Sequence, residues 1–108
     1  MANLFKSFLS KDVGTSPATV YTCPSATQTT LIGLSIANTS ASPITGDAYI
    51  TRSAVDYYLI KDGVVPVGGS LVIVGGDQKV VMEPTDVLKV ETSAAASADC
   101  AASLLEIT

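Results

Sequence analysis

No histidine and no tryptophan occur in this 108-residue sequence, and each absence narrows what the chain can do. Without His, the Ser-His-Asp triad, the Cys-His pair and most zinc sites cannot be built. Acid–base work would fall to carboxylates, Tyr or Lys. Without Trp, the chain lacks the buried Trp expected between the cysteines of an immunoglobulin domain. Charge is scarce as well, at 15% of residues with a net charge of −4, against about 25% in an average globular protein. Phosphate binding needs several convergent cations. The few Lys and Arg here are scattered, which argues against a nucleic-acid partner. Long apolar runs are missing too, so nothing reaches the length of a bilayer span. The N-terminus carries Lys6 inside its apolar part and has no long h-region, so it does not read as a secretory signal.

Cysteine is limited to Cys23 and Cys100. A disulfide framework usually has more. Two buried free thiols are the first expectation, a single clamp between an early and a late strand stays open, and a metal site is a poor third because two Cys without His make a weak ligand set. No cofactor is expected.

What is present suits one small all-β domain. Surface scaling gives a folded area of roughly 5,600 Å² for a chain of this mass. That supports one modest core and leaves little room for a deep substrate cavity. Hydrophobic residues make up 47%, but the aromatics are only Phe5, Phe8, Tyr21, Tyr49, Tyr57 and Tyr58. The core is therefore expected from Val, Ile and Leu, and the surface from Ser, Thr, Ala and Gly. Such a surface is cheap to desolvate. It reads equally as an ordinary neutral exterior or as one covered by copies of itself or by a partner.

Along the chain, residues 1–13 differ from the rest. Leu4, Phe5, Phe8 and Leu9 fall at i, i+1, i+4 and i+5, one face of a short helix. An N-terminal arm or helix over 1–13 is expected, capping the domain's own core or docking on a neighbour. Residues 14–108 read as a β-sandwich domain. Strands are expected at 18–23, 29–38, 44–53, 55–61, 70–74, 79–82, 87–92 and 98–107. Ile32, Leu34 and Ile36 should share one face of the second of these, and Leu88 and Val90 one face of the seventh. Asp62-Gly63 and Pro84-Thr85-Asp86 read as turns, and Gly75-Gly76-Asp77 as a hairpin turn. About eight short strands with turns near every ten residues predict a single antiparallel β-sandwich, jelly-roll or immunoglobulin-like. The missing Trp favours the jelly roll.

Candidate chemistry is thin. The carboxylate pairs Asp56/Asp62 and Glu83/Asp86 sit at turns, where Asp bonds local backbone; a glycosidase-like pair is a remote alternative. Neither glycine pair, Gly68-Gly69 nor Gly75-Gly76, precedes a helix, so neither makes a phosphate cradle. Asp77, Glu83 and Asp86 match no calcium loop. Asn38-Thr39-Ser40 fits a glycosylation acceptor in sequence only. Tyr57 and Tyr58 should point to opposite faces of one strand, one into the core and the other exposed or at an interface.

The run Val13-Gly14-Thr15-Ser16-Pro17-Ala18-Thr19-Val20-Tyr21-Thr22 leads into Thr30-Leu31-Ile32-Gly33-Leu34-Ser35-Ile36-Ala37-Asn38-Thr39. Together with 66–71, 75–90 and 103–108, it resembles small virion structural proteins of tailed bacteriophages, notably those of cyanobacteria and marine bacteria. The resemblance covers nearly the whole chain and rests on turn-and-strand patterns. Relatives tend to have Gly-Asp where this chain has Thr85-Asp86. The resemblance implies a non-enzymatic particle component, located in the virion and assembled in the host cytoplasm. Its first form is a capsid cement (decoration) protein binding the major capsid protein, with neck, tail or baseplate subunits as the alternative and other virion proteins as partners. A homo-oligomer, dimer or trimer, is expected, with no membrane partner. The residues expected to bind partners are Leu4, Phe5, Phe8, Leu9, Tyr57 and Tyr58. A small carbohydrate-binding sandwich is the rival from another class, and it lacks an aromatic platform beyond its Tyr residues.

Overall fold

The computed structural model describes residues 3–75 and 77–108. Nine strands account for most of them, and no helix occurs among the described residues. They are β1 (Asn3–Val13), β2 (Ala18–Thr22), β3 (Gln28–Asn38), β4 (Ile44–Arg52), β5 (Val55–Val65), β6 (Ser70–Val74), β7 (Val80–Met82), β8 (Val87–Thr92) and β9 (Ala98–Ile107). One sheet runs β1-β9-β3-β6, with β7 also paired to β3; the other runs β2-β8-β4-β5. Every pairing is antiparallel.

The order has a simple origin. Fold the chain as one long hairpin with β4 and β5 at its tip. The successive rungs are then β4·β5, β3 with β6 and β7, β2·β8, and β1·β9. Alternate rungs lie in alternate sheets, which is the rolled-up hairpin of a jelly roll. The all-β sandwich expected from the sequence is therefore present, and of the two forms considered it is the jelly roll.

The core lies between the sheets and is aliphatic. Leu31, Leu34, Ile36, Leu88, Val90, Ala102 and Leu104 are essentially inaccessible. Strand periodicity puts them there: β9 alternates buried Ala98, Cys100, Ala102, Leu104 and Glu106 with more exposed residues, and β8 buries Leu88 and Val90 while Lys89 and Glu91 face out. In β3 the expected phase is only half right. A register shift between Leu31 and Gly33 turns Leu31 inward with Leu34 and Ile36 and leaves Ile32 half-buried. A bulge adds one residue to one strand and reverses the alternation beyond it.

Four other expectations are corrected. The helix over Leu4 to Leu9 is not formed; the segment is the edge strand β1, paired to β9 from Asn3↔Ile107 to Ser10↔Cys100. Asp62-Gly63 does not end a strand but lies within β5. There Asp62 has φ 54°, and its backbone N–H donates to Asp47 Oδ1 at 2.6 Å, so a side chain serves the amide that the irregular ladder leaves over. Gly75 and Asp77 do not flank a hairpin, because β6 and β7 both run antiparallel to β3, as successive stretches of one edge; Gly76 itself lies outside the described residues. Finally, neither Tyr57 nor Tyr58 is in the core: they are 57% and 46% exposed, because β5 is the outer strand of its sheet.

Candidate interaction surface

The carboxylates are occupied with structure. Asp86 is buried and accepts from Arg52 Nε at 2.8 Å and from the Glu83 backbone N–H at 2.9 Å. That fork, chiefly the Arg52 hydrogen bond, holds its carboxyl below the usual range. It closes the turn before β8 in the manner expected for turn carboxylates. Asp56 accepts from the Thr51 hydroxyl at 2.7 Å. Glu106, also buried, pairs with Lys6 at 2.8 Å and accepts from the Tyr21 hydroxyl at 2.6 Å. Those two hydrogen bonds, Lys6 first, keep its carboxyl ionised to lower pH than usual. Tyr21 in turn touches Thr29 Oγ1 at 2.8 Å. No group of three metal-ligating side chains converges among the described residues.

Both cysteines are free and buried. Cys23 lies 3.3 Å from Thr29 Oγ1, and burial pushes the Cys100 thiol up to about 11. Asn38 is 5% exposed, and its amide donates to the Ser42 and Val65 carbonyls. The acceptor side chain of the glycosylation-like triplet is therefore turned inward, while Thr39 stays exposed.

What remains is surface. On the outside of the five-stranded sheet, the outward positions of β1 are Phe5, Ser7 and Leu9. Cross-strand register carries this row through Leu105 and Ala101 of β9 and Thr30 and Ser35 of β3 to Val81 of β7 and Val72 of β6. Phe5 and Leu9 are each 78% exposed, Val72 66% and Val81 62%. Between these larger side chains, Ser35, Ala37 and Ala101 leave a shallow depression of about 470 Å³ bordered by Leu9 and Asp99. A second, of about 300 Å³, runs between Phe5, Ser7, Ile32 and Ser103.

The expected partner-binding residues do not form one patch. Leu4, Phe5, Phe8 and Leu9 lie on β1, while Tyr57 and Tyr58 lie on β5, the outer strand of the other sheet. Within β1, Phe8 faces inward. Its ring is 4.9 Å from that of Tyr21 and it packs on the core. Phe5 and Leu9 face outward, and Leu4 is about half exposed. Tyr58 leans on Tyr49 with centroids 4.8 Å apart at 38°, and Lys61 Nζ sits 5.0 Å from its centroid. With its neighbours that close, Tyr58 offers no flat platform for a sugar. Val72 and Val81 join the surface without having been singled out in the sequence, although period two already separates Val72 from Leu71 and Ile73, and Val81 from Val80 and Met82.

Among the solved structures that share this fold are a pilus chain and a viral-particle chain. One is a chain of the Bacillus endospore appendages, which form a novel family of disulfide-linked pili. It superposes with a TM-score of 0.57 at 15% identity, over 98% of this chain and 88% of that one. The other comes from the T13 IBDV viral particle, with a TM-score of 0.54 at 10% identity, over 96% of this chain but 30% of that one. At such identities the likeness is one of fold. No family model matches the sequence, and no curated protein matches it.

Proposed function

We propose that this chain is a non-enzymatic structural subunit that works by packing against other proteins, with the outer face of its five-stranded sheet as the docking surface. The observation that carries the reading is the row Phe5, Leu9, Val72 and Val81, four large apolar side chains exposed on one face of a chain with little charge. Monomers seldom leave apolar patches of more than a few hundred Å² open without a use. The total accessible surface is 5659 Å², so a standard interface of roughly 800 Å² per partner would need about one-seventh of it.

Two of the solved structures with this fold belong to a pilus and a viral particle, which supports an assembly role. The resemblance to tailed-phage proteins favours a virion component. A cement protein bound across major capsid subunits is the form best suited to a broad, shallow, apolar face. Covalent linkage of the kind named for the pili does not suit this chain, because both of its thiols are buried.

The test replaces Val72→Lys with Val81→Lys, two exposed positions away from β1. Particles assembled with the variant should carry at least tenfold less of it than wild type, while its melting temperature stays the same. Full occupancy by the variant would overturn the docking surface. Densitometry of purified particles also reports copy number: hundreds of copies fit a shell, and a small ring fits a neck, tail or baseplate.

A further inference from the structure

Each sheet of the sandwich has two free edges, and three of the four are blunted. Strand β2 is five residues long and shifts register between Thr19 and Tyr21. β5 pairs with β4 through two register shifts and contains the left-handed Asp62. The edge made by β6 and β7 is interrupted between Val74 and Val80. Such breaks keep sheet edges from pairing with other chains. β1 is different. From Asn3 to Ser10 it pairs residue for residue with β9, and its single shift, with Asp12 at φ 54°, comes only between Ser10 and Val13. This is a long, regular edge bearing Phe5 and Leu9; its lysines, Lys6 and Lys11, are neutralised by Glu106 and Asp99 of the same chain, which leaves the kind of edge that natural sheets otherwise avoid.

The geometry points to a second copy of this chain as the occupant of that edge: two β1 strands pair antiparallel about a two-fold axis at Ser7, joining two five-stranded sheets into one. The inference rests on the reading of the chain as an assembly subunit, and the register follows from the sequence of β1. A two-fold axis perpendicular to the sheet keeps both outer faces on the same side only if it passes through a residue, since successive side chains alternate. An axis at Lys6 sets Lys6 directly against its copy. An axis at Phe8 sets Phe5 against Lys11. An axis at Ser7 sets Phe5 against the partner's Leu9 and Leu9 against the partner's Phe5, so all four exposed side chains meet apolar neighbours. It opposes Lys6 to Phe8 and Lys11 to Asn3, so no two cations face each other. Lys6 and Lys11 are already paired within the chain, to Glu106 at 2.8 Å and Asp99 at 3.2 Å. The contact is isologous, the commonest kind, and small, so a dissociation constant on the order of micromolar is expected.

The test uses the full chain. Sedimentation should show a reversible dimer, Phe5→Lys with Leu9→Lys should weaken it at least tenfold, and Phe5→Lys with Leu9→Glu should restore it, because the axis sets each new charge against its opposite. Both positions are largely exposed, so the fold should survive, as an unchanged melting temperature would confirm. Ser7→Cys should form a disulfide dimer under mild oxidation, since opposed residues in an antiparallel pair stand about 4.5–5.5 Å apart at Cα, within reach of a disulfide. A wild-type chain that stays monomeric at millimolar concentration, a Lys/Lys variant as dimeric as wild type, or a Ser7→Cys chain that does not cross-link would each overturn the inference. The assembly reading fails separately, through Val72→Lys with Val81→Lys, which leaves β1 intact.

Discussion

The two outer faces of the sandwich are built from the same kind of strand and differ in how their polar groups are matched. On the four-stranded sheet, polar groups find each other: Tyr49 donates to Glu91 at 2.9 Å, Thr51 to Asp56 at 2.7 Å, and Lys61 lies 3.5 Å from Asp47 while its cation rests near the Tyr58 ring. On the five-stranded sheet, the corresponding positions hold Phe5, Leu9, Val72 and Val81 with Ser and Ala between them. The first face matches its polar groups to one another, although β5 also leaves Val64 and Tyr58 exposed. The second gains by losing contact with water, since each Å² of apolar area removed is worth about 25 cal/mol. Charge is present on both sheets: Asp56, Lys61, Lys89 and Glu91 lie on strands of the four-stranded one, while Lys6 and Lys11 of the five-stranded one are paired to Glu106 and Asp99.

That contrast can be broken at its inner boundary first. Leu104 and Leu9 belong to the same sheet, but Leu104 is 1% exposed and Leu9 78%. Leu104→Ala should cost about 2–5 kcal/mol through lost burial and a cavity, whereas Leu9→Ser should stay within about 0.5 kcal/mol. Urea titration of the two variants measures both. Similar losses would mean that the outer row already packs within the monomer.

A middle-sized effect should come from acid. The carboxyls of Asp86 and Glu106 are both held below their ordinary range, so their contribution is present above the unfolded-state values of about 3.9 and 4.3. It is lost as pH falls through the lower folded values. Stability should therefore drop below about pH 4, and Glu106→Gln should be less stable than wild type at pH 7 with a shallower acid loss. Thermal melts across pH 2–7 would show it. Because Glu106 holds Lys6 of β1, its neutralisation should loosen the apolar side of the molecule, while that of Asp86 loosens the turn before β8.

The smallest effect lies outside both faces. Thr85 has φ 73°, the left-handed region where a β-branched residue is strained. Thr85→Gly should stabilise by about 0.5–1 kcal/mol, strain relief partly offset by the entropy of Gly in the unfolded chain. A calorimetric melt that falls would contradict the backbone geometry.

Strand β8 is legible in the sequence because it is apolar on one side, at Leu88 and Val90, and polar on the other, at Lys89 and Glu91. β1 is concealed because Leu4, Phe5, Phe8 and Leu9 fall on both sides of the strand. A residue set that is apolar toward the core and apolar toward a neighbour has no period of two left to read. Ile32 is displaced from its expected face by a bulge, whose position depends on pairing with β9 and not on local composition. β6 and β7 resemble a hairpin in sequence because glycines between two apolar runs say that the chain breaks, not which way it leaves. Of the expected binding residues, Phe5 and Leu9 lie on the exposed face, while Phe8 turns inward because strand alternation, not helical spacing, governs it.

One consequence of the strand order concerns synthesis. β9 lies between β1 and β3, yet it is the last of the nine strands to be translated. Until residues 98–107 leave the ribosome, β1 has no neighbour to pair with and the larger sheet has no middle. The sandwich cannot close progressively from its N-terminus and must be completed in one late step, so a chain released early lacks the surface on which assembly would depend.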